Sequence, residues 1–130
     1  MANEITFGAF IKAKRLNLDP YISLRKMAEM LNLSPTYMSK IETERYPAPK
    51  GEILASFAHI LKLDKAEEEQ MYELAAKTKE NNTVPADLPE YLNAKEYARV
   101  ALRVAKDVDA TDEEWIEFIE KLKKRGQQQE

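Results

Sequence analysis

The 130-residue chain contains no cysteine, one histidine, one tryptophan and three glycines. Each scarcity narrows the chemistry. Without cysteine there is no disulfide framework, no thiolate metal site and no thiol nucleophile. The single histidine, His59, falls on the polar side of a helical pattern, where no metal or catalytic role is expected. So few glycines leave no Gly-rich phosphate loop, and no strand-like alternation bounded by glycine turns is present, so an all-α fold is expected. No apolar run approaches the roughly 20 residues that cross a bilayer. The start MANEITFGAF lacks the basic and apolar regions of a secretory signal, so a cytoplasmic protein is expected. With no paired carboxylates outside helix caps, neither an enzyme nor a cofactor or metal is expected.

What is present is helical patterning. The chain is 44% apolar and 33% charged, which suits one small globular domain with an appendage. It is organised around residues 23 to 42, SLRKMAEMLNLSPTYMSKIE. Leu24, Met27, Ala28 and Leu31 recur at the spacing of a helix's buried face, Ser23 can cap that helix, and Asn32 stands where a left-handed residue would end it. Ser34 and Pro35 supply a second cap and a proline at the first helical position, so another helix starts at about Pro35.

The exposed face of that second helix sets it apart. Met38 and Ile41 anchor it, with Leu33 ahead of the cap, while Thr36, Tyr37, Ser39 and Lys40 stand on the other side. Hydroxyls, a phenol and an ammonium near a helix N-terminus suit a DNA major groove, where phosphates favour the positive end of the dipole and base edges require hydrogen-bond partners.

The run SLRKMAEMLNLSPTYMSKIETERYPAP resembles the helix-turn-helix of the Xre and phage-repressor (Cro/C1-type) family, which commonly reads S-L-R-x-L-A-x-x-L-x-[IVL]-S-x-x-Y-[LI]-S-K-[IL]-E. Ser23, Leu24, Arg25, Ala28, Leu31, Ser34, Tyr37, Ser39, Lys40, Ile41 and Glu42 fill the pattern, and Met27 and Met38 keep the apolar volume at two more positions. The segment Arg15 to Ser23 is about two residues longer than the usual link between first and second helices. The resemblance covers roughly residues 5 to 78. It implies a five-helix repressor-like helix-turn-helix domain over residues 1–80 that binds double-stranded DNA and acts as a sequence-specific transcriptional regulator, a repressor by promoter occupancy. In this reading Thr36, Tyr37 and Lys40 read bases, Pro35 offers bases apolar contact, and Ser34, Ser39 and Arg25 hold phosphates. The loop after the recognition helix runs along the phosphate backbone in the resembling repressors, which adds Arg45 and Lys50.

A net charge of −3 argues against DNA until its distribution is considered. Residues 12 to 50 carry eight Lys or Arg against four acidic residues, whereas residues 81 to 130 carry eight against eleven. Charges of this kind usually just solvate helix surfaces; around a recognition helix they become phosphate contacts.

In chain order, a first helix is expected from Thr6 to Asn17, with Lys12 and Arg15 facing phosphates or water. Asp19-Pro20 breaks the chain, and Tyr21 and Ile22 are expected over the core edge. A fourth helix runs to Leu61 with Ile53, Leu54, Phe57, Ala58 and Leu61 inward. A fifth starts in a capping box, Asp64 with Glu67, and fades near Lys79. Residues 81–93 read as a Pro-containing linker. Two helices follow over 94–125, one from Ala94 to Val108 and one capped by Thr111 and Glu114, before a frayed tail. The apolar face of Trp115, Phe118, Ile119 and Leu122 either packs back on residues 5 to 78 or pairs with a second subunit. A homodimer would engage two half-sites of an inverted repeat. The stripe could also receive a ligand or a regulatory protein partner, although an aromatic stripe at helical spacing is usually core. The second functional class is an antitoxin or other interaction module of a toxin-antitoxin or mobile-element system.

Overall fold

The cap chemistry turns the apolar periodicity into helices of defined length. In the computed structural model, which describes residues 5–78 and 84–128, the elements are α1 Phe7–Asn17, α2 Leu24–Met30, α3 Pro35–Glu42, α4 Gly51–Ile60, α5 Lys65–Ala76, α6 Pro89–Ala94, α7 Glu96–Val108 and α8 Asp112–Gln128, with no strand among the described residues. Thr6, Ser23 and Ser34 each accept a hydrogen bond from the backbone N–H three residues on, which satisfies one orphan donor of α1, α2 and α3. Asp64 and Glu67 form the reciprocal capping box of α5, and Thr111 and Glu114 do the same ahead of α8.

Four of the C-termini, those of α2, α3, α4 and α7, use a device with no glycine in it. Asn32, Glu44, Lys62 and Asp109 all adopt positive φ, between 55° and 66°. After each, the next N–H reaches back to a carbonyl of the last helical turn, as in Leu33 to Ala28 at 2.8 Å and Arg45 to Lys40 at 2.9 Å. This is the Schellman arrangement, in which a left-handed residue reverses the chain so that orphan carbonyls find donors.

The chain divides into two units, Met1–Pro89 and Glu90–Glu130. In the first, all five helices α1 to α5 feed one core. Phe7, Ile11, Met27, Met38, Ile41, Phe57 and Met71 are fully buried, and Phe7 meets Phe57 edge to face at 5.9 Å. Three fully buried methionines, Met27, Met38 and Met71, are flexible enough to fill irregular gaps in this core. Gly8 lets α1 approach the end of α3 closely: a Cβ there would lie 2.3 Å from the Glu42 carbonyl oxygen and 2.6 Å from that of Ile41. The Glu44 carboxylate accepts from the Gly8 N–H, an anion at the N-terminus of α1.

Two basic residues of α1 are committed to structure. Arg15 does not face phosphates or water; it is buried, donating through Nε and Nη2 to the Glu42 carboxylate at 2.8 and 2.9 Å and through Nη1 to the Ile22 carbonyl at 2.9 Å. A planar guanidinium can make all three bonds at once, and the long loop between α1 and α2 closes onto it. Lys14 pairs with Glu67 of α5; this bond, followed by the Asp64 backbone N–H, holds the Glu67 carboxyl below its ordinary value. Lys12 is exposed.

Elsewhere in this unit Ile53 and Tyr21 are exposed rather than inward, while Ile22 packs on the core. Ile53 sits in the first turn of α4, and Leu54 and Phe57 already fill the face toward the core. The segment before α4 is tied down by the Thr78 hydroxyl, which accepts from the Ala48 N–H at 3.1 Å and donates to the Ala75 carbonyl at 2.8 Å. α5 ends at Ala76; Lys79, where fading was expected, lies outside the described residues, as do Asn81, Asn82 and Thr83 of the expected linker.

The second unit departs from expectation at both ends. The expected linker contains α6, begun by Pro89 at its first position, where a missing N–H costs nothing. The helix expected from Ala94 begins at Glu96, because Lys95 is extended and Arg99 Nη1 donates to the Leu92 and Asn93 carbonyls at 2.7 Å, closing α6 separately. α8 continues through Gly126 to Gln128 instead of ending at Arg125; a single glycine costs a helix only about 1 kcal/mol. No described residue of this unit is buried.

Candidate nucleic-acid interface

The site is built where α3 emerges from the core. Met38 and Ile41 fix the inner face, and the Arg15–Glu42 bond pins the helix's last residue to the last turn of α1. Four residues, Leu31 to Ser34, join α2 to α3, and the left-handed Asn32 sets the reversal. The Ser34 hydroxyl accepts from the Tyr37 N–H at 3.0 Å, which leaves its own proton free to donate outward.

Pro35, Thr36, Ser39, Lys40, Thr43 and Arg45 line one shallow depression beside the start and outer face of α3. Four of them are residues singled out on this helix from the sequence, and Arg45 joins them because the Schellman turn brings the chain back across Lys40. Thr43 was missed: its hydroxyl donates to the Ser39 carbonyl at 3.0 Å, and only the turn after α3 reveals that it borders the same depression.

Tyr37 stands differently from its neighbours. It is half-buried against the core, its ring 5.6 Å from that of Tyr46. Lys40 Nζ lies 5.1 Å above the Tyr46 ring and 3.5 Å from its hydroxyl. Tyr46 was also missed, since nothing local marks it; its N–H bonds the Lys40 carbonyl, and it orients both Tyr37 and Lys40. The pair of rings and the ammonium make a preset cluster, so little side-chain freedom is lost when Lys40 meets an acceptor.

Arg25 and Lys50 are exposed and lie outside this depression, Arg25 on the second residue of α2 and Lys50 at the position before α4. The two carboxylates at the end of α3 are engaged elsewhere, Glu42 by Arg15 and Glu44 by the Gly8 N–H at the N-terminus of α1. The face around α3 is therefore more positive than the chain's net charge of −3 suggests.

Compared with family models, curated proteins and solved structures, the chain matches none of them. Among the described residues no group of three His, Asp or Glu could hold a metal ion, and no helix is long and apolar enough to cross a membrane. His59 is exposed on α4, away from the depression.

Proposed function

We propose that the protein is a sequence-specific DNA-binding transcriptional regulator of the Xre and phage-repressor kind, in which α2 and α3 form the helix-turn-helix and α3 enters the major groove. The observation that carries this reading is the depression at the start of α3, where hydroxyl, ammonium and guanidinium groups converge on a rigidly capped helix end. Thr36 and Lys40 face base edges, Lys40 suiting the paired acceptors of guanine, and Pro35 offers apolar contact to a thymine methyl. Ser34, Ser39, Arg25, Arg45 and Lys50 hold phosphates on either side and set the register. Tyr37 contributes its phenol edge while its ring keeps Tyr46 and Lys40 in place. The protein acts in the cytoplasm as a homodimer on an inverted repeat, and occupancy of a promoter represses transcription.

The test is selection of the purified protein against a random duplex library at near-physiological salt. Enrichment of an inverted repeat with fixed spacing is the expected result; enrichment of nothing, with binding that vanishes as salt rises, would sink the reading. On the selected site, Lys40→Ala is expected to cost about 1–3 kcal/mol and relax one base position, whereas Arg45→Ala weakens all sequences alike and lowers the salt slope.

The exposed apolar side chains of α7 and α8 favour a second role in protein binding, such as the antitoxin half of a toxin-antitoxin pair. Such a role is compatible with DNA binding by the first unit.

A further inference from the structure

Among the described residues, the long helices of the second unit carry exposed apolar side chains on amphipathic faces. On α7, Tyr97 is 85% exposed and Val108 70%, on one stripe with Val104. On α8, Ile116, Phe118, Ile119 and Leu122 are all between 43% and 52% exposed. Helices of this length are marginal in water unless an apolar face is covered.

The charges of α8 indicate what covers it. Its first half carries Asp112, Glu113, Glu114, Glu117 and Glu120 and no basic residue, and its second half carries Lys121, Lys123, Lys124 and Arg125 and no acidic one. At 100° per residue, Glu114, Lys121 and Arg125 border one edge of the Trp115–Leu122 stripe, and Asp112 and Lys123 border the other. Two copies laid side by side in the same direction would place like charges together along both edges. Reversed, with the two-fold axis near Phe118, Glu114 of each copy meets Lys121 of the other, and Asp112 meets Lys123. Both edges are then satisfied, and Phe118 packs against its own counterpart.

We propose that the protein homodimerises through α8 paired antiparallel with α8 of a second copy. The surface is self-complementary in shape of charge as well as in hydropathy, which is what an isologous interface requires. The pairing is independent of the DNA reading, and its test uses no DNA.

Because the chain lacks cysteine, introduced thiols report on the pairing without interference. The full-length protein at tens of micromolar and physiological salt is expected to sediment at twice its monomer mass. Asp112→Cys and Lys123→Cys proteins, oxidised separately, are expected to stay uncrosslinked. Oxidised as a refolded mixture they are expected to give the mixed disulfide dimer, and Phe118→Cys alone is expected to crosslink to itself. Phe118→Glu is expected to sediment as a monomer while keeping the cooperative melt of the first unit. A wild-type monomer would overturn the proposal, as would self-crosslinking at both 112 and 123, the mark of parallel pairing. A dimer with no crosslink at any of these positions would overturn it too, because its contact would lie elsewhere.

Discussion

Arg15 holds together three parts of the first unit: its own helix, the loop carbonyl of Ile22 and the carboxylate of Glu42 at the end of α3. Removing one side of a buried pair strands the other charge, so Arg15→Ala is expected to lower stability by about 3–5 kcal/mol in denaturant unfolding. Arg15→Met combined with Glu42→Met is expected to recover much of that loss, since an apolar pair of similar volume carries no desolvation cost. Gly8→Ala sets a purely steric case beside this electrostatic one. Its new methyl would overlap two backbone carbonyl oxygens that cannot rotate away, so α1 and α3 must separate, and a loss of about 1–3 kcal/mol is expected in the same measurement. Neither role was legible beforehand. Glu42 entered the reading only as a position in a family pattern, and a partner 27 residues away leaves no local trace in a sequence.

At the scale of the element, capped starts were readable, and so were the ends expected at Asn17, Leu61 and Val108, which match α1, α4 and α7 to within a residue; the start of α7 and the left-handed geometry of the stops were not. Thr6, Ser23, Ser34, Asp64 and Thr111 announce helices because a side-chain oxygen at the N-cap is a chemical requirement with few solutions. The stops at Glu44, Lys62 and Asp109 use residues that ordinarily favour other conformations, and only Asn32 was a recognisable choice. α6 was hidden for a related reason: two prolines and a polar run read as a linker, while the Arg99 guanidinium that closes the helix comes from the next element. Lys62 at φ 55° bears the strain of a left-handed side chain, so Lys62→Gly is expected to stabilise the protein by about 0.5–1 kcal/mol, raising the melting temperature by a few degrees. The same substitution at Glu44 is expected to destabilise instead. There the left-handed residue also supplies the carboxylate that Gly8 donates to, and relief of strain does not offset its loss.

For the molecule as a whole, every buried apolar residue among those described lies between Phe7 and Ala76. The first unit thus has a complete core of its own, while the second has side chains to offer and nothing described to bury them. A chain ending at Pro89 is expected to melt cooperatively by circular dichroism, close to the full-length protein's melting temperature. Its loss should fall on binding rather than folding. If the proposed function holds and the second unit joins two copies, the truncated protein keeps its affinity for one half-site but loses the effective concentration that the first contact confers on the second. Affinity for a paired site is then expected to drop by about 10²–10⁴-fold. Titration of both proteins on single and paired half-sites separates the contributions. An equal loss on both sites would mean that the second unit touches DNA itself, and an unchanged affinity on paired sites would mean that the first unit dimerises without it. The acidic excess of residues 81 to 130 argues against the first of these outcomes: a segment that repels phosphate is poorly suited to bind it, and under the proposed function it is left to join two copies rather than to touch the duplex.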